Sequence, residues 1–237
     1  MKKIRTITFP RSGIHLVSGF LLKYFSRDIK FPLILTFNPK TTPIKAGEFV
    51  LCSKDHHRCG IPCTDPSVTF QMMHEGKAHG LLKWEVGDGI NYLFLYRNPV
   101  ISAISMFRNG FDKTLQETVI LLDCQMKWWK AWIDYWVIGH NGDNVLKVMY
   151  ENIIENPEKE FERVIKYIEP DENINTELIL SIVKNGFPDI NGKPGINIKF
   201  ELSEFKYYKE LKNYLQEKEQ ELIKEIKLLN IPRIKWE

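Results

Sequence analysis

The chain has 237 residues, 43% hydrophobic and 27% charged, with a formal net charge of +3. That length supports a sizeable α/β core. The small charge excess is no argument for a nucleic-acid binder, and no apolar run approaches the ~18 residues of a membrane span. The start, Met1-Lys2-Lys3, is followed by alternating β residues and not by the apolar stretch of a signal peptide, so a cytoplasmic protein is expected.

The first predicted element is a strand, Ile4-Arg5-Thr6-Ile7-Thr8, ending at Pro10. A helix is expected from about Gly13, with Leu16, Phe20, Leu21, Tyr24 and Phe25 on its apolar face. Between them lies Pro10-Arg11-Ser12-Gly13, a basic turn of small residues. The unpaired N–H groups and partial positive charge of the helix start suit an anion there. Ser12 and Gly13 allow close backbone approach, and Arg11 adds a charged donor. The same four residues also make an ordinary strand–helix turn.

A short strand is predicted near residues 33–37, followed by an irregular region to about residue 80. Cys52, Cys59 and Cys63 fall in it, interleaved with His56 and His57. Free thiols, a local disulfide and a zinc site all remain open for this cluster. Tyr92-Leu93-Phe94-Leu95-Tyr96 reads as a buried central strand ending on Arg97. Asn98 is a good N-cap and Pro99 a good first helical residue, which predicts a helix over 99–108. Ser102 and Ser105 share one face of it, and Arg97 and Ser105 could converge on one phosphate.

Residues 116–138 form a predicted helix with Trp128, Trp132 and Trp136 in one stripe. Packing against the sheet is the expected role of that stripe, with substrate lining as the alternative. Val145 to Met149 reads as a further strand, running into Tyr150-Glu151, then a helix over 157–168. The tail, residues 204–229, is a long charged helix, most of whose charges are expected on a solvated face. Alternating strands and helices predict a parallel sheet covered on both faces, with the ligand beyond the strand ends, where Arg11, Arg97 and Tyr150 fall.

These segments together resemble the sulfotransferases that use 3′-phosphoadenosine 5′-phosphosulfate (PAPS). Pro10-Arg11-Ser12-Gly13 matches the family's phosphosulfate loop, Arg97-Asn98-Pro99 with Ser105 its 3′-phosphate segment, and Tyr150-Glu151 its strand-end Tyr-Glu. The order and rough spacing agree over about residues 3–170. The Pro-Arg-Ser-Gly-x-His-Leu loop is most like that of the small bacterial-type members. The resemblance implies a single P-loop-like three-layer α/β/α domain over 1–237 and transfer of a sulfuryl group to an acceptor hydroxyl or amine. PAPS would be the donor and adenosine 3′,5′-bisphosphate (PAP) the product. A small-molecule or carbohydrate acceptor is expected, with no nucleic-acid partner and no metal. Arg11, Ser12, Gly13, Ile14 and His15 would hold the 5′ group, Arg97 and Ser105 the 3′-phosphate, and Tyr150 the adenine side. His74 matches the family's His and would be the general base, with His79 and His15 as competitors.

The sequence departs from the family at several points. Ile14, His15 and Leu16 stand where better-known members have two hydroxyl residues and a Trp, and Met72 replaces the usual Lys. Arg11 would then carry more of the leaving-group charge. Lys193, in Asn191-Gly192-Lys193-Pro194-Gly195, is a faint echo of the late Arg-Lys-Gly stretch. A non-catalytic PAP binder and a P-loop kinase are the competing functions. The kinase reading lacks the Gly-Lys-Ser/Thr that holds the β/γ-phosphates and Mg²⁺. A zinc-stabilised interaction module built on the cysteines is a third.

Overall fold

A computed structural model describes residues 1–30, 44–52, 67–71, 90–107, 113–185, 205–226, 229, 231–234 and 236. Its strands are β1 (Ile4–Thr8), β2 (Ile44–Ala46), β3 (Phe49–Cys52), β4 (Phe70–Gln71), β5 (Asn91–Tyr96) and β6 (Val145–Met149). Its helices are α1 (Ile14–Ser26), α2 (Pro99–Phe107), α3 (Leu115–Trp132), α4 (Tyr150–Glu155), α5 (Pro157–Ile168), α6 (Thr176–Lys184) and α7 (Tyr208–Glu225). The six strands form one sheet in the order β2-β3-β4-β1-β5-β6, parallel except for the β2–β3 pair. Thr8 pairs with Leu95 and Tyr96 with Met149, so β1, β5 and β6 end side by side. From β1 the chain first builds the β2–β4 side and then returns to lay β5 and β6 on the other. The crevice at such a reversal, outside the carboxyl ends, is where open α/β sheets hold ligands.

Alternation along β5 divides the core. Leu93 and Leu95 face a cluster with α1, α5 and α6, whereas Tyr92, Phe94 and Tyr96 face one with the aromatic helix. The first cluster contains Phe20 stacked on Phe161, ring centroids 3.5 Å apart and planes 9° from parallel. The second holds Trp129, Trp132 and Trp136, all buried, with Phe9 and Phe94. Helix α7 packs Leu211, Leu215 and Leu222 against Val100, Ile104, Leu122 and Met126 in a third cluster. The expected three-layer α/β/α arrangement is therefore present.

Several details differ from the sequence reading. Helix α3 begins one residue earlier, because Thr114 and Glu117 form a reciprocal capping box. It continues as a π-helix over Ile133–Ile138, closed by Gly139 N–H donating to the carbonyl of Asp134 at 3.0 Å. Tyr150 does not end a strand; it opens α4. Helix α7 is shorter at both ends than expected, and its Glu219 is 2% exposed, so that charge is not on a solvated face. The expected strand near 33–37, and Cys59, Cys63, His56 and His57, lie outside the described residues; Cys52 is buried and Cys124 is exposed. Among the described residues no helix is long and apolar enough to cross a membrane, and no cluster of His, Cys, Asp and Glu could hold a metal.

Phe161 is fully buried against Phe20. Phe161→Ala is expected to lower the unfolding free energy by about 3–5 kcal/mol, read from urea denaturation at unchanged m-value.

Candidate active site

The loop after β1 is held from three sides. Phe9 N–H donates to the carbonyl of Leu95 at 3.2 Å, and Ser12 N–H donates back to the carbonyl of Phe9 at 3.2 Å. Ser102, buried on α2, donates its hydroxyl to the carbonyl of Pro10 at 2.8 Å. Arg11 adopts φ 64°, in the left-handed region that costs an L-residue energy, and its side chain is exposed. The turn thus lifts one cation to the rim of the crevice. Gly13 follows at φ 89° as the N-cap of α1. No side chain caps that helix and no acidic residue lies in its first turn, so the positive end of α1 is open to an anion. Ser12 is fully buried, and among the described residues its Oγ has no hydrogen-bond partner. Ile14 is buried, leaving its backbone as the group it offers, and His15 is half-buried one residue on.

Arg97 stands at the end of the neighbouring strand β5. Its side chain is 12% exposed, and its guanidinium lies 4.2 Å from the centre of the Tyr150 ring. Nη1 donates to the carbonyl of Arg11 at 3.5 Å, while Nε makes no hydrogen bond among the described residues and lies 3.8 Å from Glu151 Oε1. Burial lowers the guanidinium's pKa, opposed by Tyr150 and Glu151. Burial likewise raises the Glu151 carboxyl, opposed by the Asn98 N–H that donates to it at 2.9 Å and by Arg97. Arg97 therefore keeps donors that no described residue uses, in a place where a cation is poorly hydrated.

Three of the sequence-predicted residues meet in one contact. A methyl group on Gly13 would lie 2.4 Å from Cδ2 and 2.7 Å from Cε2 of Tyr150, so the absence of a side chain lets the ring pack against the loop. That ring is also the surface under Arg97. Ser105 lies half-buried on α2, two turns beyond Arg97. His74, Met72, His79 and Lys193 fall outside the described residues.

The sequence reading placed the aromatic helix α3 but not its contact with Arg97. Trp129 Nε1 donates to the carbonyl of Arg97 at 2.9 Å, and Trp128 and Trp132 pack on Phe9 with ring centroids 4.8 and 5.9 Å away. The same face carries Gln125 Oε1 and Trp132 Nε1, buried polar atoms without hydrogen-bond partners among the described residues. The i, i+4 stripe pointed to packing, but Trp129, one residue off it, makes the contact to Arg97. Asn98 was expected as a cap, and its Oδ1 accepts from Val100 N–H at 3.0 Å and Ile101 N–H at 3.3 Å. The partner of its amide nitrogen, Glu219 at 2.7 Å, lies 121 positions away and carries no sequence signal.

The close approach of Gly13 to Tyr150 has a measurable consequence. Gly13→Ala should destabilise the fold by roughly 1–3 kcal/mol, from overpacking and the left-handed backbone. In denaturant titrations, Gly13→Ala/Tyr150→Ala should lose less stability than the sum of the single variants, because removing the ring relieves the clash.

A sequence model described as a sulfotransferase domain matches residues 2–187. No curated protein sequence matches the chain. Among solved structures, retinol dehydratase in complex with retinol and PAP is similar at 10% identity, with a TM-score of 0.60, covering 99% of this chain and 84% of that one. A mouse sulfotransferase complexed with PAP is similar at 13% identity and a TM-score of 0.54, covering 96% and 89%. The sulfotransferase domain of the Synechococcus PCC 7002 olefin synthase matches at 13% identity and a TM-score of 0.52, covering 98% and 96%. Those likenesses speak to the fold alone. With the domain match extending over most of its length, this chain belongs to the sulfotransferase family.

Proposed function

We propose that this protein transfers a sulfuryl group from PAPS to an acceptor hydroxyl or amine, releasing PAP. The observation that carries this reading is the buried, unpartnered Ser12 Oγ beside the uncapped start of α1, with Arg97 under-used at the adjacent strand end. A phosphate ester at each of these points would satisfy groups that otherwise remain costly to bury. The PAP complexes of the retinol dehydratase and the mouse sulfotransferase support the same donor.

When bound, the donor supplies a sulfuryl group on a phosphate leaving group. The residues around it would divide the work. Arg11, Ser12 and the N–H groups of Gly13, Ile14 and His15 bind the 5′ side and hold the negative charge that grows on the departing phosphate. Arg97 and Ser105 bind the 3′-phosphate, and Tyr150 borders the nucleotide, with Lys193 a further cation from the late segment. Because Met72 stands in the place of the family's Lys, Arg11 carries more of the leaving-group charge. His74 takes the proton from the acceptor, a role suited to an imidazole titrating near neutrality. The acceptor is a small molecule or a carbohydrate.

Two measurements test the reading. In calorimetry, Arg97→Ala should weaken adenosine 3′,5′-bisphosphate by roughly ten- to a hundredfold, the worth of a charge-assisted contact, and adenosine 5′-monophosphate far less. A bisphosphate affinity equal to that of the unaltered protein would remove Arg97 from the site. In assays with labelled PAPS and a screen of acceptors, His74→Ala should turn over about 10²–10⁴-fold more slowly while still binding PAP. Near-normal turnover would move the base to another residue, and a collapse in His15→Ala with folding intact would identify that residue.

A further inference from the structure

Glu219 is buried in α7, and no cation pairs with it among the described residues. Burying a carboxylate in this way is unfavourable unless hydrogen bonds replace its water. Here they do. Oε1 accepts from Asn98 Nδ2 at 2.7 Å and from Ile234 N–H at 2.8 Å, and Oε2 accepts from Trp236 Nε1 at 2.8 Å. Both Glu219 and its two partners in the tail lie outside the 2–187 span of the sulfotransferase match.

The acid acts on a residue with no spare hydrogen-bonding group. Asn98 donates its backbone N–H to Glu151 and accepts at its carbonyl from Ser102 N–H at 2.9 Å. Its amide oxygen caps α2, and its amide nitrogen donates to Glu219 and, at 3.1 Å, to the carbonyl of Pro232. Two acceptors on the nitrogen side fix which way the amide faces. Turned over, its oxygen would meet a carboxylate and a carbonyl, and the first N–H groups of α2 would meet donors. The peptide that Asn98 shares with Arg97 is thereby held, as is the first turn of the helix that carries Ser102 and Ser105.

We propose that Glu219 is a positioning residue for the 3′-phosphate subsite. It sets the Asn98 amide, which in turn sets Arg97 and α2, and the tail N–H of Ile234 holds the carboxylate oxygen that Asn98 meets. The C-terminal segment is then a working part of the nucleotide site. This rests on the assignment of Arg97 to the 3′-phosphate above.

Glu219→Gln keeps the shape and removes the charge. Whichever way the new amide lies, one of its hydrogens faces a donor, either Asn98 Nδ2 or Trp236 Nε1. The readout is the preference for adenosine 3′,5′-bisphosphate over adenosine 5′-monophosphate, measured by calorimetry on the full chain. Glu219→Gln is expected to lower that preference by about tenfold, with the monophosphate affinity within about twofold of the unaltered protein. Glu219→Gln/Trp236→Phe lets the amide nitrogen turn away from Asn98 without meeting the indole donor, and should regain most of the preference. A purely structural role would give no such recovery. Trp236→Phe alone leaves the carboxylate on Asn98 and should keep the preference. An unchanged preference in Glu219→Gln, equal weakening of both nucleotides, or loss in Trp236→Phe alone would each overturn the assignment. Should Glu219→Gln fail to fold, the double variant decides: a preference still lowered tenfold there overturns it, and one near the original supports it. An unaltered protein that does not distinguish the two nucleotides would refute the 3′-phosphate reading itself.

Discussion

Arg97 holds its charge between an aromatic ring, a backbone carbonyl and a carboxylate that is near but not hydrogen-bonded to it. A guanidinium kept from water in this way is tolerable only if its surroundings are rigid enough to prevent it from swinging into solvent. Much of the architecture at the strand ends supplies that rigidity. Trp129 holds the Arg97 carbonyl, Glu151 holds the next N–H, and Tyr150 lies beneath the side chain. Tyr150 can occupy its place because Gly13 has no side chain. The anion-binding turn after β1 and the cation at the end of β5 are therefore not two features that happen to adjoin. They share a ring, a carbonyl and a strand pairing.

How much of this was legible from sequence follows from the range of the interactions. The strands β1, β5 and β6 and the turn at Arg11–Gly13 depend on local pattern: alternation, an apolar run, a Pro, an N-cap. These were read correctly, to within a residue or two. The start of α3 was read to within one residue, and the spacing of Thr114 and Glu117, that of a capping box, would have fixed it. Tyr150 was placed at a strand end because Val145–Met149 runs apolar to its last residue. Nothing local marks the change to helix, and the contact of its first residue with Gly13 spans 137 positions of chain. Glu219 was unreadable for a related reason. In a stretch rich in Lys and Glu, one acid looks like the next until the fold brings Asn98 to it.

The domain match ends at residue 187, whereas the packing does not. Helix α7 closes the third core cluster against α2 and α3, Tyr207 donates its hydroxyl to the carbonyl of Lys113 at 2.6 Å, and Tyr214 donates to Asp123. These contacts cover the outer side of the helix that follows Arg97. A part of the chain beyond the recognisable domain thus shares a hydrophobic core with it, and the two are expected to unfold together.

The π-helix at Ile133–Ile138 has a consequence for the tryptophans. In an α-helix a step of four residues overshoots a full turn, so a stripe at i, i+4 and i+8 drifts around the axis. In the wider π turn the same step falls short of a full turn. Trp128 to Trp132 is a step of the first kind and Trp132 to Trp136 one of the second, so the two drifts oppose each other. The extra residue works as a register correction. Trp136 thereby stays on Phe94 within β5 while Trp128 and Trp132 stay on Phe9, just past the carboxyl end of β1.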